Sequence, residues 1–221
     1  MTARRAPIIA LLLVGASSAL LAQEGFPLFT TDFPADEFAA RRASVYEAIG
    51  KDAVAVLQGA PTPVGYTRFR QSNDFYYLCG VESPNAYLLL DARERKATLY
   101  LPHRNDRREE SEGKVLSAED AEQVRKISGV DDVFGPELLA EHLGRLLHRR
   151  TPLELYTPLF PPEGTAESRD LALRRVADVG SDPWDGSSSR AGSFLGRLRE
   201  RFPNLAVADL SPILDSLRLI T

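Results

Sequence analysis

Cysteine is nearly missing from this 221-residue chain: Cys79 stands alone, so no internal disulfide can form. It lies in an apolar run and reads as a small buried hydrophobe. Histidine is scarce as well, with His103, His142 and His148 the complete set. His142 and His148 fall on one expected helix but six residues apart, about 240° around its axis, which is too divergent to grip one ion; both read as solvated helix positions. His103, in Pro102-His-Arg-Asn-Asp106, has an acid close behind it but no further ligand nearby, and reads as part of a strand-end turn. No GxSxG elbow, GxGxxG or Walker loop, HExxH or CxxC pair occurs. Ser187-Ser188-Ser189 has no histidine base to activate it and reads as a loop before a helix. Glu109-Glu110 and Asp131-Asp132 are adjacent in sequence rather than facing, and read as solvated edges. From the residues alone, then, no catalytic group and no metal ligand is assigned.

Basic excess is also absent. Lys and Arg number 27 against 31 Asp and Glu, a formal charge of −4, and the arginines are dispersed, which gives no footprint for nucleic acid or anionic lipid. No apolar run reaches the roughly 20 residues that span a bilayer. The longest run, 6–14, follows Arg4 and Arg5 and leads into small residues at 15–19, which outlines a signal peptide over residues 1–22. Cleavage after Ala19 keeps small side chains at Ser17 and Ala19; cleavage after Ala22 puts Leu20 where a small one is wanted, and both sites stay open. Loss of the leader takes the charge to −6, and the expected localisation is export to a periplasm or the extracellular space.

What the chain does have is 43% hydrophobic residues with interspersed glycine and proline, the composition of one ordinary globular domain able to bury a sizeable core. Phe38, Arg42, Val45, Tyr46 and Ile49 recur at helical spacing, which predicts a helix over 34–49 closed by Gly50. Short β-branched or aromatic runs bounded by turns predict strands at 53–57, 75–79, 86–90 and 98–101, the last three linked briefly enough to be antiparallel neighbours. Beyond them the pattern alternates: helices near 117–127 and 136–149, a strand at 153–156, helices near 165–178 and 188–201, and a strand at 205–208. Ser211 and Pro212 read as the N-cap and first residue of a helix that has barely begun. Antiparallel neighbours followed by crossovers imply an α/β fold with a mixed β-sheet flanked by helices.

One segment is distinctive. Arg70-Gln-Ser-Asn-Asp-Phe-Tyr-Tyr-Leu-Cys-Gly80 continues through Val81-Glu-Ser-Pro-Asn-Ala-Tyr-Leu-Leu-Leu90 and closes on Ala97-Thr-Leu-Tyr-Leu-Pro102. Arg70 and Asp74, four apart, are placed to form a charge-assisted hydrogen bond ahead of the strand. Tyr76 and Tyr77 would then point to opposite sheet faces, one into the core and one available to a partner.

Together with Phe38-x-x-Arg-Arg42, Asp182-Pro-Trp-Asp185 and Leu210-Ser-Pro-Ile-Leu214-x-x-x-Arg218, this pattern resembles the N-terminal domain of the aminopeptidase P branch of the creatinase/prolidase family. The likeness is close over 33–140 and looser to 217. It implies a creatinase/prolidase N-terminal domain over 33–217, with 218–221 opening a catalytic domain that this chain lacks. By the resemblance, Arg70, Asp74 and Tyr76 are substrate-pocket or interface residues, and Tyr76 takes the aromatic position near a neighbouring subunit's active site. The family's catalytic domain holds two divalent metals, usually manganese, and uses a metal-bound water on Xaa-Pro bonds. No cofactor is therefore expected in this chain. Its expected partners are a metallopeptidase catalytic domain and other subunits, and it is expected to be inactive alone. The alternative expectation is a free-standing exported binding module that has lost the peptidase domain.

Overall fold

The computed structural model describes residues 33–65, 68–149, 152–163, 167–184 and 186–219; the expected leader over 1–22 lies outside them. Strand β1 (Ala53–Gln58) organises the rest. Its side chains alternate, Ala53, Ala55 and Leu57 entering one apolar cluster and Val54 and Val56 the other, so both sheet faces need cover. On one edge β1 pairs antiparallel with β2 (Tyr87–Asp91), which pairs antiparallel with β3 (Lys96–Tyr100). On its other edge it pairs in parallel with β5 (Glu154–Thr157). Parallel neighbours β4 (Asp132–Phe134) and β6 (Ala206–Asp209) complete a six-stranded mixed sheet in the order β4-β3-β2-β1-β5-β6.

Helices α1 (Ala35–Ile49), α2 (Asn73–Cys79), α4 (Ala121–Ser128) and α8 (Ser211–Arg218) send residues into the first cluster. Helices α5 (Leu139–Arg149) and α7 (Arg190–Arg201) supply the second. The short helix α3 (Asp106–Glu112) buries nothing, and α6 (Arg169–Ser181) buries only Ala172. The α/β class with a mixed sheet and flanking helices is thus the observed architecture.

Helix α1 buries Phe38, Arg42, Val45, Tyr46 and Ile49, the face its spacing predicts, together with Arg41. Arg42 is the unusual member. Its Nη1 donates to the carbonyls of Leu78 (2.8 Å) and Ser128 (2.9 Å), and its Nη2 to that of Gly129 (2.6 Å). These carbonyls belong to the C-terminal ends of α2 and α4, whose last acceptors have no partner within their own helix. One cation on α1 therefore closes two helix ends, where the helix dipole also favours positive charge. Both ends turn out through a left-handed glycine, Gly80 (φ 66°) and Gly129 (φ 63°). Burial pushes the Arg42 pKa down from its usual value, although Tyr46, Cys79 and Asp131 pull the other way.

Several expected elements differ. Residues 75–79 form a helix, not a strand: the aromatic run suits a sheet by propensity, but Asp74, Phe75, Leu78 and Cys79 are the buried set, a three-and-four spacing that serves a helix. Tyr76 and Tyr77 consequently lie side by side on α2 rather than on opposite sheet faces. The antiparallel trio is β1-β2-β3, with β1 in the place expected for 75–79. Helix α8 is eight residues long with Leu210 at its N-cap position, so Ser211 and Pro212 lie inside its first turn. Helix α3 and strand β4 were not anticipated; a three-residue strand carries too short a pattern to stand out.

Candidate functional site

The family-bearing segment, helix α2, is fixed from three sides. Phe75, Leu78 and Cys79 are fully buried beneath it. Arg42 holds its C-terminal end, and Phe38 packs so close to Gly80 that a Cβ there would sit 2.3 Å from the Phe38 ring. At its N-terminal end stands Asp74, 5% exposed, whose Oδ1 accepts from Arg218 Nη1 at 2.8 Å. Arg218 also donates to Glu163 Oε2 at 2.9 Å, and Arg169 bridges to Asp215 at 2.5 Å. A chain of opposite charges thus ties α2 to α8, to the loop at 163 and to α6. Burial raises the Asp74 pKa and Arg218 opposes that rise, while the Arg218 hydrogen bond lowers that of Glu163.

The three sequence-chosen residues are distributed along this segment rather than joined. Arg70 does not bond Asp74; its guanidinium lies 3.5 Å from Glu82 and is 42% exposed. The expectation failed because four residues of spacing bring two side chains together only on a helix, and α2 begins at Asn73. Asp74 instead takes a partner 144 residues away, a pairing with no local signal. Tyr76 is half-buried, with its ring edge-on to Phe38 at 6.4 Å between centroids. Beside it Tyr77 donates its hydroxyl hydrogen to the Leu217 carbonyl at 3.2 Å, and the Arg41 guanidinium lies 4.6 Å from the Tyr77 ring and 4.4 Å from that of Phe33. The exposed Phe33 and the half-buried Tyr76 thus both stand edge-on to the buried Phe38 ring.

The histidines form no metal centre. His103 sits after β3 with Nδ1 2.6 Å from Glu119 and Nε2 3.2 Å from Glu137. The two carboxylates lie at opposite ring nitrogens, so they clamp an imidazolium rather than converge on a cation. Their hydrogen bonds raise the His103 pKa, Glu119 contributing most, and Glu119 itself falls to about 2. His142 is half-buried rather than solvated, its Nδ1 2.8 Å from the Tyr100 hydroxyl, and burial lowers its pKa. His148 is exposed as expected. Among the described residues, no three His, Cys, Asp or Glu side chains are grouped to hold a metal ion, so the residues present do not fit the family's dinuclear centre. The serine run is a loop before a helix, as expected, and Ser189 caps α7 by accepting from the Gly192 amide at 3.0 Å. Cys79 is fully buried, and burial lifts its thiol to about 12, which removes it from thiolate chemistry.

The family model for the aminopeptidase P N-terminal domain matches residues 38–156, from the buried face of α1 through β5 and more than half of the chain. The chain belongs to the aminopeptidase P N-terminal domain family. A "Probable Xaa-Pro aminopeptidase" of Pyricularia oryzae is 33% identical over 93 residues, covering 39% of this chain and 18% of its own length. "Intermediate cleaving peptidase 55, mitochondrial" of Arabidopsis thaliana is 27% identical over 122 residues, covering 51% of this chain and 24% of its own length. Among solved structures, aminopeptidase P of Escherichia coli, crystallised with the inhibitor Pro-Leu, superposes with a TM-score of 0.54 at 19% identity, covering 85% of this chain and 39% of that one. The likeness at that identity is one of fold, and the chain spans about a quarter or less of the curated relatives it matches. Among the described residues no helix is long and apolar enough to cross a membrane.

Proposed function

We propose that this chain is the recognition and assembly domain of an exported Xaa-Pro aminopeptidase, packing on a metallopeptidase catalytic domain and helping to wall the pocket for a peptide with proline in second position. What supports the reading is the rigid presentation of α2. The segment that carries the family pattern is a short helix held at both ends by buried charge, with Tyr76 left half-exposed on a Phe38 support. Such a helix positions an aromatic ring without needing chemistry of its own. Arg70, 42% exposed at the start of the same segment, offers a cation to a partner, while Asp74 acts from within by holding α2 in place. Manganese or another divalent ion belongs, in this reading, to the catalytic domain.

The test pairs the purified chain with a metallopeptidase catalytic domain of the same family and measures both association and release of the residue preceding proline. The chain alone should release nothing. With the partner present, Tyr76→Ala and Arg70→Ala should change KM or kcat while leaving the metal content of the catalytic domain unchanged. Chelator-sensitive turnover by the chain alone, or indifference of the reconstituted activity to both substitutions, refutes the reading. Export is tested separately by mass spectrometry of secreted protein: loss of 19 or 22 residues supports it, and an intact Met1 in the exported fraction overturns it.

A further inference from the structure

We infer that the groove between α6 and the 60–61 and 161–162 segments binds a short apolar peptide by its free C-terminal carboxylate, with Arg190 as the counter-ion. The groove encloses about 560 Å³, within the range of sites that hold small ligands. Ala60, Pro61, Pro161 and Pro162 form one wall, and Val176 and Val179 of α6 face them. Val176 is 41% exposed, and α6 stands away from the main clusters, which leaves the apolar walls open to a guest.

The charges in this groove do not balance. Glu163 is engaged by Arg218 and Glu167 by Arg175, at 2.9 and 2.5 Å, and Arg70 lies beside Glu82. Arg190 is different. Among the described residues its only hydrogen bonds run from Nη2 to two neutral acceptors, the Gly59 carbonyl at 3.2 Å and Asn85 Oδ1 at 3.4 Å. Its Nε is buried with no partner, and no carboxylate of the described residues lies within ion-pair distance. Burial accordingly lowers its pKa. A partly desolvated guanidinium without an anion costs stability, and a carboxylate reaching Nη1, which makes none of these bonds and is not buried as Nε is, offsets that cost through a charge-assisted hydrogen bond. An inorganic anion would satisfy the charge but leave the proline and valine walls unused, whereas an apolar C-terminal side chain uses both. Ser72, one residue before α2, also lines the groove, so a bound peptide would lie alongside the family-bearing segment. The inference does not depend on a catalytic domain.

The test is a calorimetric and NMR titration of the full chain with N-acetyl-alanyl-valyl-leucine, with its C-terminal carboxamide, and with sulfate. The free acid should bind with shifts of the Val176 and Val179 signals, and the carboxamide at least tenfold more weakly. Arg190→Gln should abolish binding of the acid while leaving the circular dichroism spectrum and melting temperature unchanged or raised. Val179→Asp, which puts an anion in the groove and leaves Arg190 in place, should weaken the acid at least tenfold, and it serves if the Arg190 variant fails to fold. Equal affinity for acid and carboxamide, no binding of the acid, or sulfate binding as tightly as the peptide would each overturn the proposal.

Discussion

Replacing Arg42 with Met tests whether one side chain on α1 holds two other helices in position. Methionine keeps much of the apolar stem but leaves the carbonyls of Leu78, Ser128 and Gly129 without their donors, the first two in buried surroundings. An orphaned buried acceptor costs about 1–3 kcal/mol. Two such groups at the middle of that range come to about 4 kcal/mol, the partly wet third adds about 1, and relief of the desolvated guanidinium takes back about 2 on the same scale. A net loss of about 3 kcal/mol remains, which lowers the urea midpoint by about 1–2 M for a domain of this size. Arg42→Lys, with three donors on one nitrogen and a shorter reach, should fall between the two. Equilibrium urea unfolding followed by circular dichroism measures all three proteins. A loss below about 1 kcal/mol for Arg42→Met would refute the reasoning, because it would mean that water satisfies these helix ends as well as the arginine does.

Gly80→Ala should destabilise by more than about 1 kcal/mol, since it forces a left-handed backbone on alanine and drives its Cβ into the Phe38 ring; thermal melts of Gly80→Ala with and without Phe38→Leu will show whether the smaller ring partner rescues it. Asp74→Ala should cost about 2 kcal/mol in urea unfolding, less than the 3–5 of a fully buried pair, because Arg218 is 27% exposed and keeps Glu163. The two imidazoles should separate in an NMR titration, His103 above the ordinary 6.5 and His142 below it. The sign follows: the His103 clamp is complete below pH 6.5 and is lost as pH rises through its raised folded value, whereas His142 favours the folded state at higher pH and loses that as pH falls below 6.5. Coincident titration of the two would contradict the geometry.

The sequence made α1 and β1 readable because each carries a full period: five buried positions of α1 at helical spacing, and a β-branched run between turns. Helix α2 misled for a physical reason. Its Phe-Tyr-Tyr-Leu run has the side chains a strand prefers, and only the burial of Asp74 together with Phe75, Leu78 and Cys79 shows which period prevails. Tertiary packing outweighed local propensity there. Of the candidate site, the segment and its family were legible, but its chemistry was not. The partner of Asp74 lies 144 residues along the chain, and the state of Arg190 is visible only once Glu163 and Glu167 are seen to hold other cations.

The sheet order has a consequence for the time course of folding. Strands β2 and β3 are joined by the four-residue turn 92–95 and can associate as a hairpin almost as soon as they exist. The central strand β1 is completed on its other side only when Ala53 meets Glu154, about a hundred residues along the chain. Closing so long a loop must precede any gain from the contact. Until β5 arrives, β1 presents a row of unpaired backbone N–H and C=O groups between two apolar faces, and during synthesis on a ribosome that edge is the place where a neighbouring nascent chain can pair wrongly.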